Sequence, residues 1–246
     1  MGVESCAQQS PAWVEALRDS GFCFVEAGQF APCLVDAGTT TDWANFAGSW
    51  NELEPDAYLA QTGRHRRRRY AVFSADLGGT IRREPHQPHY QSLSYNTLQG
   101  DIERWFEPVR EDIGVCTPLR SVLDLARRVF DAAAGEPGRW HMELHQFRIE
   151  ASAEHLGEPT PEGIHRDGVD YVLVLLIDRH NIASGTTSIH HADGTELGSF
   201  TLTRPMDAAL VDDRRVFHGV TAVTPLDPRL PAHRDVLVVT FRRPQA

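Results

Sequence analysis

The stretch that most constrains the fold is Pro159–Ile177, read P-T-P-E-G-I-H-R-D-G-V-D-Y-V-L-V-L-L-I. Its second half, Tyr171–Ile177, is an unbroken apolar run, far too short to span a membrane and rich in β-branched residues. Such a run reads as a strand buried on both faces, which requires a sheet around it. The chain after residue 138 supplies one. Arg139–Glu150 alternates and is rich in aromatics, and Thr186–His190 leads to a turn at Asp193-Gly194 from which Leu197–Leu202 pairs back. Ala208–Val211, Val216–Val220 and Arg234–Phe241 complete a series of short strands at close spacing, the pattern of a barrel or jelly roll.

The first 138 residues have a helical and mixed texture. Residues 11–19 read as a short amphipathic helix, with Ser10 as N-cap and Pro11 in its first turn, followed by a strand over Phe22–Val25. Trp43, Phe46, Trp50, Leu53, Tyr58 and Leu59 recur at core spacing. Residues 101–111 and 118–134 read as helices, the second closed by Gly135 and Pro137. At 246 residues the expectation is one domain over 1–246, helical or mixed over 1–138 and β over 139–246.

Acidic residues outnumber basic ones 34 to 24, for a net charge of -10, which argues against a nucleic-acid partner. Every basic residue is Arg, so lysine Schiff-base chemistry and a Walker-type lysine are excluded. In this acidic chain the run Arg64–Tyr70 (R-H-R-R-R-R-Y) reads as a strand start with ion pairs, or as a source of one inward arginine for a substrate carboxylate. The cysteines, Cys6, Cys23, Cys33 and Cys116, form no C-x-x-C. Residues 1–30 lack a signal-peptide pattern, so reduced thiols, a cytoplasmic location and no membrane partner are expected. Oligomeric state has no sequence signal.

The chemistry lies just before the buried strand. With 12 His among 246 residues and 18 Asp, chance alone supplies about one H-x-D. There are three: His165–Asp167, His191–Asp193 and His233–Asp235. The second lies in an apparent surface turn, and the third has no histidine after it. The first precedes the buried strand and has a downstream partner, His218 in V-F-H-G-V. In an extended segment the side chains at i and i+2 point the same way, so His165 and Asp167 can grip one ion. Two imidazoles and one carboxylate on one face of Fe(II) leave adjacent positions open for a bidentate 2-oxo acid and O2. A 2-oxo diacid also needs a cation for its far carboxylate, and Arg234, heading a buried strand, is the candidate.

Residues 82–100 read as a polar, proline-punctuated loop lining the site. There Tyr95 and Asn96 are candidate pocket residues, and His86 and His89 are a possible ligand pair lacking a third member. Arg148 is the candidate for a substrate carboxylate, and Asp170 or Glu143 for an ammonium.

P-T-P-E-G-I-H-R-D-G-V-D-Y, R-H-N-I-A-S-G, V-F-H-G-V and R-D-V-L-V-V-T-F, in this order, resemble the bacterial 2-oxoglutarate/Fe(II) dioxygenases related to L-isoleucine 4-hydroxylase. R-R-R-R-Y and Y-Q-S-L-S-Y-N-T-L-Q-G are similar too, so the resemblance covers residues 43–243. It implies a mainly β (α+β) fold, a double-stranded β-helix (jelly-roll, cupin-like) core with N-terminal helices packed outside. It implies His165, Asp167 and His218 as iron ligands and Arg234 as the 2-oxoglutarate anchor. The implied reaction hydroxylates a free, aliphatic L-amino acid such as isoleucine, leucine or methionine and converts 2-oxoglutarate to succinate and CO2. Asp at position 167, rather than Gly or Ala, vacates no ligand position for chloride and sets the site up for hydroxylation. Two other readings compete: a cupin-type metalloenzyme that does not use 2-oxoglutarate, with Glu143 and His145 as extra ligands, and a non-enzymatic jelly-roll binding module.

Overall fold

The computed structural model describes residues 6–34, 38–60, 66–96, 98 and 100–244. In chain order the first half carries α1 (Cys6–Ser20), β1 (Phe22–Val25), α2 (Ala27–Phe30), α3 (Thr40–Gly48), β2 (Glu54–Pro55), α4 (Ala57–Ala60), β3 (Arg66–Ala75), β4 (Ile81–Arg83), α5 (Glu111–Gly114) and α6 (Thr117–Ala134). The second half is all β: β5 (Trp140–Ala151), β6 (Tyr171–His180), β7 (Ile182–Ser184), β8 (Thr186–His190), β9 (Glu196–Thr201), β10 (Ala208–Asp212), β11 (Phe217–Val220), β12 (Val223–Pro225) and β13 (Ala232–Arg242).

A large sheet of eight strands runs β1-β10-β6-β13-β5-β3-β2, with β4 on β3. A small sheet, β11-β8-β9, and a pair, β12-β7, stand apart from it. Neighbouring strands are antiparallel throughout these sheets. This is the mainly β, jelly-roll arrangement expected. Strands β1 and β3 come from the helical half yet pair in the large sheet, so the change of texture near residue 138 does not divide the β structure.

Period-two alternation sorts the large sheet's side chains into two layers. Met142, Leu144, Leu173, Leu175, Leu237, Val239 and Phe241 pack with the helices in the main core, where α1 and α3 lie against α6. Their neighbours in sequence, Val172, Val174, Val236 and Val238, pack on the opposite face toward the small sheet. Both faces of β6 are therefore covered, which is why its sequence is an unbroken apolar run. Helix α6 follows its pattern, with Pro118 in the first turn and Gly135 closing it at φ +85. Among the described residues no helix is long and apolar enough to cross a membrane.

Three local expectations are corrected. Helix α1 starts at Cys6, so Ser10 is not its cap and Pro11 lies inside it. One backbone bond is lost there, but Trp13 and Leu17 are buried in the core and hold the helix. Residues 101–110 form no helix: Arg104 exchanges backbone bonds with His89, and Tyr70 does so with Glu107 and Val109. Tertiary pairing overrides the helical pattern there. Cys33 is disulfide-bonded rather than reduced, whereas Cys23 and Cys116 are free. Arg64 and His65 lie outside the described residues.

Candidate active site

His165 and His218 face each other as an antiparallel backbone pair, each N–H donating to the other's carbonyl at 2.9 Å. Directly paired residues present side chains on the same side, and the two imidazole centroids are 4.6 Å apart. Asp167 completes the group: its Oδ1 lies 3.6 Å from His165 Nε2 and its Oδ2 3.7 Å from His218 Nε2. The three donor atoms lie within 4.8 Å of one another. Gly168 makes the turn possible, with φ +79, and a Cβ there would stand 2.6 Å from the Tyr95 ring.

Electrostatics suit a cation at this point. Burial would lower His165, but the carboxylates of Asp167 and Glu162 raise it to about 9. Burial, helped by the neighbouring His165, lowers His218 to about 4. Asp167 stays ionised: burial would raise its pKa, but the His165 hydrogen bond and charge hold it below the usual carboxylate range. Two imidazoles and one carboxylate, open on one side to a cavity, fit Fe(II).

The cavity measures about 340 Å³ and is lined by this group and by Arg234. Arg234 is 2% exposed, and its Nε and one terminal nitrogen have no hydrogen-bond partner. Burial, then the charge of Arg179, lowers its pKa to about 10. A buried guanidinium on the same face of β13 as Val236 calls for an anion from outside the chain.

The neighbouring strands of the same sheet, β5 and β3, carry charges of both signs into the cavity. Alternate residues of β3 and β5 point inward, so Arg66, Arg68, His141, Glu143 and His145 all line the cavity. Arg68 lies 3.4 Å above the Phe106 ring and donates to His145 Nδ1 at 2.6 Å. An arginine can only donate, so His145 Nδ1 accepts and the ring is neutral. Burial, then Arg68, lowers its pKa well below the ordinary value. Asp56 pairs with Arg66 at 2.9 Å and with Arg68 at 3.4 Å. Arg104, 2% exposed, donates to Gln91 Oε1 at 3.2 Å. Glu143 accepts from His89 Nδ1 at 2.9 Å. Burial would raise its pKa, but bonds from His141 and His89 hold it well below.

The structure thus brings His165, Asp167, His218 and Arg234 to one cavity, with Tyr95 and Asn96 at its wall. It does not bring Arg148 or Asp170 there. On β5 the cavity-facing residues are His141, Glu143 and His145, so Arg148 has the opposite parity. It turns to the far face and binds Asp235 through two bonds, at 2.6 and 2.8 Å. Asp170 accepts from the Arg243 backbone at 2.7 Å and pairs with Arg214 at 3.4 Å, outside the cavity. Glu143 and His145 form a separate group with His89 and do not join His165, Asp167 and His218. His86 packs edge-to-face against Trp105 and does not join His89 in a ligand group. His191–Asp193 is an exposed turn pair. Asp235 of the third H-x-D is taken by Arg148. Arg68 and Arg104 were not singled out from sequence. The parity of Arg66, Arg68 and Tyr70 could have found the first; nothing local marks Arg104.

The family profile described as 2OG-Fe dioxygenase matches residues 47–240. The chain belongs to this family. Fe(II), 2-oxoglutarate and O2 are therefore its cofactor and co-substrates, and the cupin-type and binding-module readings fall away. A crystal structure of a bsmA homolog from Methylobium petroleophilum is 37% identical, with TM-score 0.84, covering 96% of this chain and 95% of that one. IDO from Bacillus thuringiensis shares the fold at 19% identity, with TM-score 0.75 and coverage of 100% and 98%. The 3(1)-hydroxy-L-isoleucine 4-dioxygenase of Pantoea ananatis is 24% identical, over 73% of each chain. The bifunctional enzyme flvA of Aspergillus flavus is 27% identical over 62% of this chain, which spans only 21% of that protein's length.

Proposed function

We propose that this dioxygenase hydroxylates a free L-amino acid with an aliphatic side chain, with His165, Asp167 and His218 as the Fe(II) ligands. When bound there, the iron supplies the oxidising power drawn from O2 and from decarboxylation of 2-oxoglutarate to succinate. The single observation that carries the reading is the cavity's charge layout. Arg234 is a buried cation with two nitrogens unpartnered among the described residues, and further along the same sheet face stand both Arg68 and Glu143.

The residues divide the work. Arg234 holds the far carboxylate of 2-oxoglutarate, its planar fork matching two oxygens, while its burial excludes water. On β3, two strands away in the same sheet, the arginines receive the substrate carboxylate. There Asp56 is shared between Arg66 and Arg68, so the cations of that wall exceed its anions. Glu143, held ionised, receives the ammonium. Recognition at both ends fixes the aliphatic side chain relative to His165 and His218, and positioning of this kind is a large share of catalysis. Tyr95, packed on Gly168, closes the wall beside the metal ligands. The Pantoea relative's name, which specifies an isoleucine derivative, supports an aliphatic amino acid.

The test is succinate formation with Fe(II), 2-oxoglutarate and a panel of free amino acids. Turnover should rise with an aliphatic member and vanish in His165→Ala and His218→Ala. No stimulation by any free amino acid, with uncoupled succinate still formed, refutes the substrate reading. No succinate under any condition refutes the site.

A further inference from the structure

Asp213 lies between β10 and β11, a buried carboxylate that the chemistry above does not use. It is 1% exposed. Its Oδ1 accepts from the Asp167 backbone N–H at 2.9 Å. Its Oδ2 accepts from Gly168 at 2.8 Å and Val169 at 3.1 Å. These are the amides of one proposed ligand and of the two residues after it. The backbone N–H of Asp213 in turn donates to the Asp170 carbonyl at 3.0 Å. The two segments are laced in both directions.

The same carboxylate faces the other ligand. Asp213 Oδ1 stands 3.9 Å from His218 Nδ1, a buried nitrogen with no hydrogen-bond partner among the described residues. The ring's other nitrogen, Nε2, faces Asp167. His165 is arranged likewise: Nε2 points to Asp167, and Nδ1 lies 3.0 Å from the Gly163 carbonyl. Each imidazole thus turns Nε2 inward and offers Nδ1 to an acceptor behind it.

We propose that Asp213 is a positioning residue of the metal centre. Its carboxylate fixes the backbone turn that carries Asp167 and sets the tautomer and aim of His218, so the donor atoms converge before an ion arrives. The proposal rests on the reading of His165, Asp167 and His218 as metal ligands. A carboxylate fits the place because it alone offers two acceptor oxygens and no donor. Three backbone N–H groups donate to it and the His218 Nδ1 stands 3.9 Å away, and an amide would turn its own N–H against some of them. Its negative charge also makes the His218 Nε2 a better donor to a metal.

Co(II) titration of the full chain without 2-oxoglutarate, followed by its visible spectrum, tests the proposal. Asp213→Asn is expected to weaken Co(II) binding about 10–100-fold, titrated well below the variant's metal-free Tm, which the lost amide bonds lower. Equal affinity in variant and wild type overturns the positioning role alone. A wild type that binds no Co(II) overturns the ligand reading and this proposal with it. Should Asp213→Asn fail to fold, the unmodified Co(II) protein still decides. Its hyperfine-shifted NMR spectrum should contain a slowly exchanging imidazole N–H assigned to His218 by its dipolar contacts. Absence of a slowly exchanging signal assignable to His218 overturns the proposal.

Discussion

Replacing Arg234 by Met should make the ligand-free protein more stable while destroying its use of 2-oxoglutarate. The two effects have opposite signs because the guanidinium is buried without an anion. Burial lowers its pKa to about 10, a native-state cost of about 3 kcal/mol at neutral pH. Met fills a similar elongated space without charge. For a chain of this size each kcal/mol moves Tm by about 2–4 °C, so the variant should melt several degrees higher. The advantage should shrink above about pH 10, where native Arg234 sheds its proton before the unfolded chain does. With 2-oxoglutarate at about 100 times its Kd, wild type should gain about 2.7 kcal/mol, and the variant should gain none. Two charge-assisted hydrogen bonds at about 1.5–3 kcal/mol each translate into a KM for 2-oxoglutarate at least about 100-fold higher. Differential scanning fluorimetry with and without 2-oxoglutarate, together with succinate assays, measures both effects. A variant that melts lower and still shifts with 2-oxoglutarate would refute the reasoning.

Glu143→Gln should raise the KM for the amino acid about 10-fold or more and leave that for 2-oxoglutarate unchanged in the same succinate assay. Arg148→Ala should leave both KM values unchanged yet cost about 3 kcal/mol in urea unfolding, because Asp235 is left buried without its partner. Gly168→Ala should weaken Co(II) binding measurably, since the new Cβ meets the Tyr95 ring at a residue with positive φ. Burial opposes ionisation of Asp56, but Arg66 and Arg68 outweigh it and lower its pKa. Its stabilisation is therefore present above its unfolded pKa and lost as pH falls through the folded value. Asp56→Asn should be less stable at pH 7 in urea melts, and the gap should close below about pH 4.

By itself the sequence marked the principal strands and the three residues proposed as metal ligands. A strand covered on both faces must be apolar throughout, so Tyr171–Ile177 was readable without its neighbours. His165 and Asp167 share a side because they are two apart in extended chain, and Arg234 stood out as a charge heading a buried strand. Tertiary structure alone decided which charges meet. Arg148 looked placed for a substrate, but one step of strand parity sends it to the far face and Asp235. Arg104 enters the cavity because its backbone pairs with His89, a long-range contact without a local signature. Asp213 shows the same limit most clearly. In sequence it is one of two adjacent aspartates after a strand; only folding turns one of them onto the amides of Asp167, Gly168 and Val169. A strand's two faces follow from local geometry, whereas the partner that each face meets follows from the path of the whole chain.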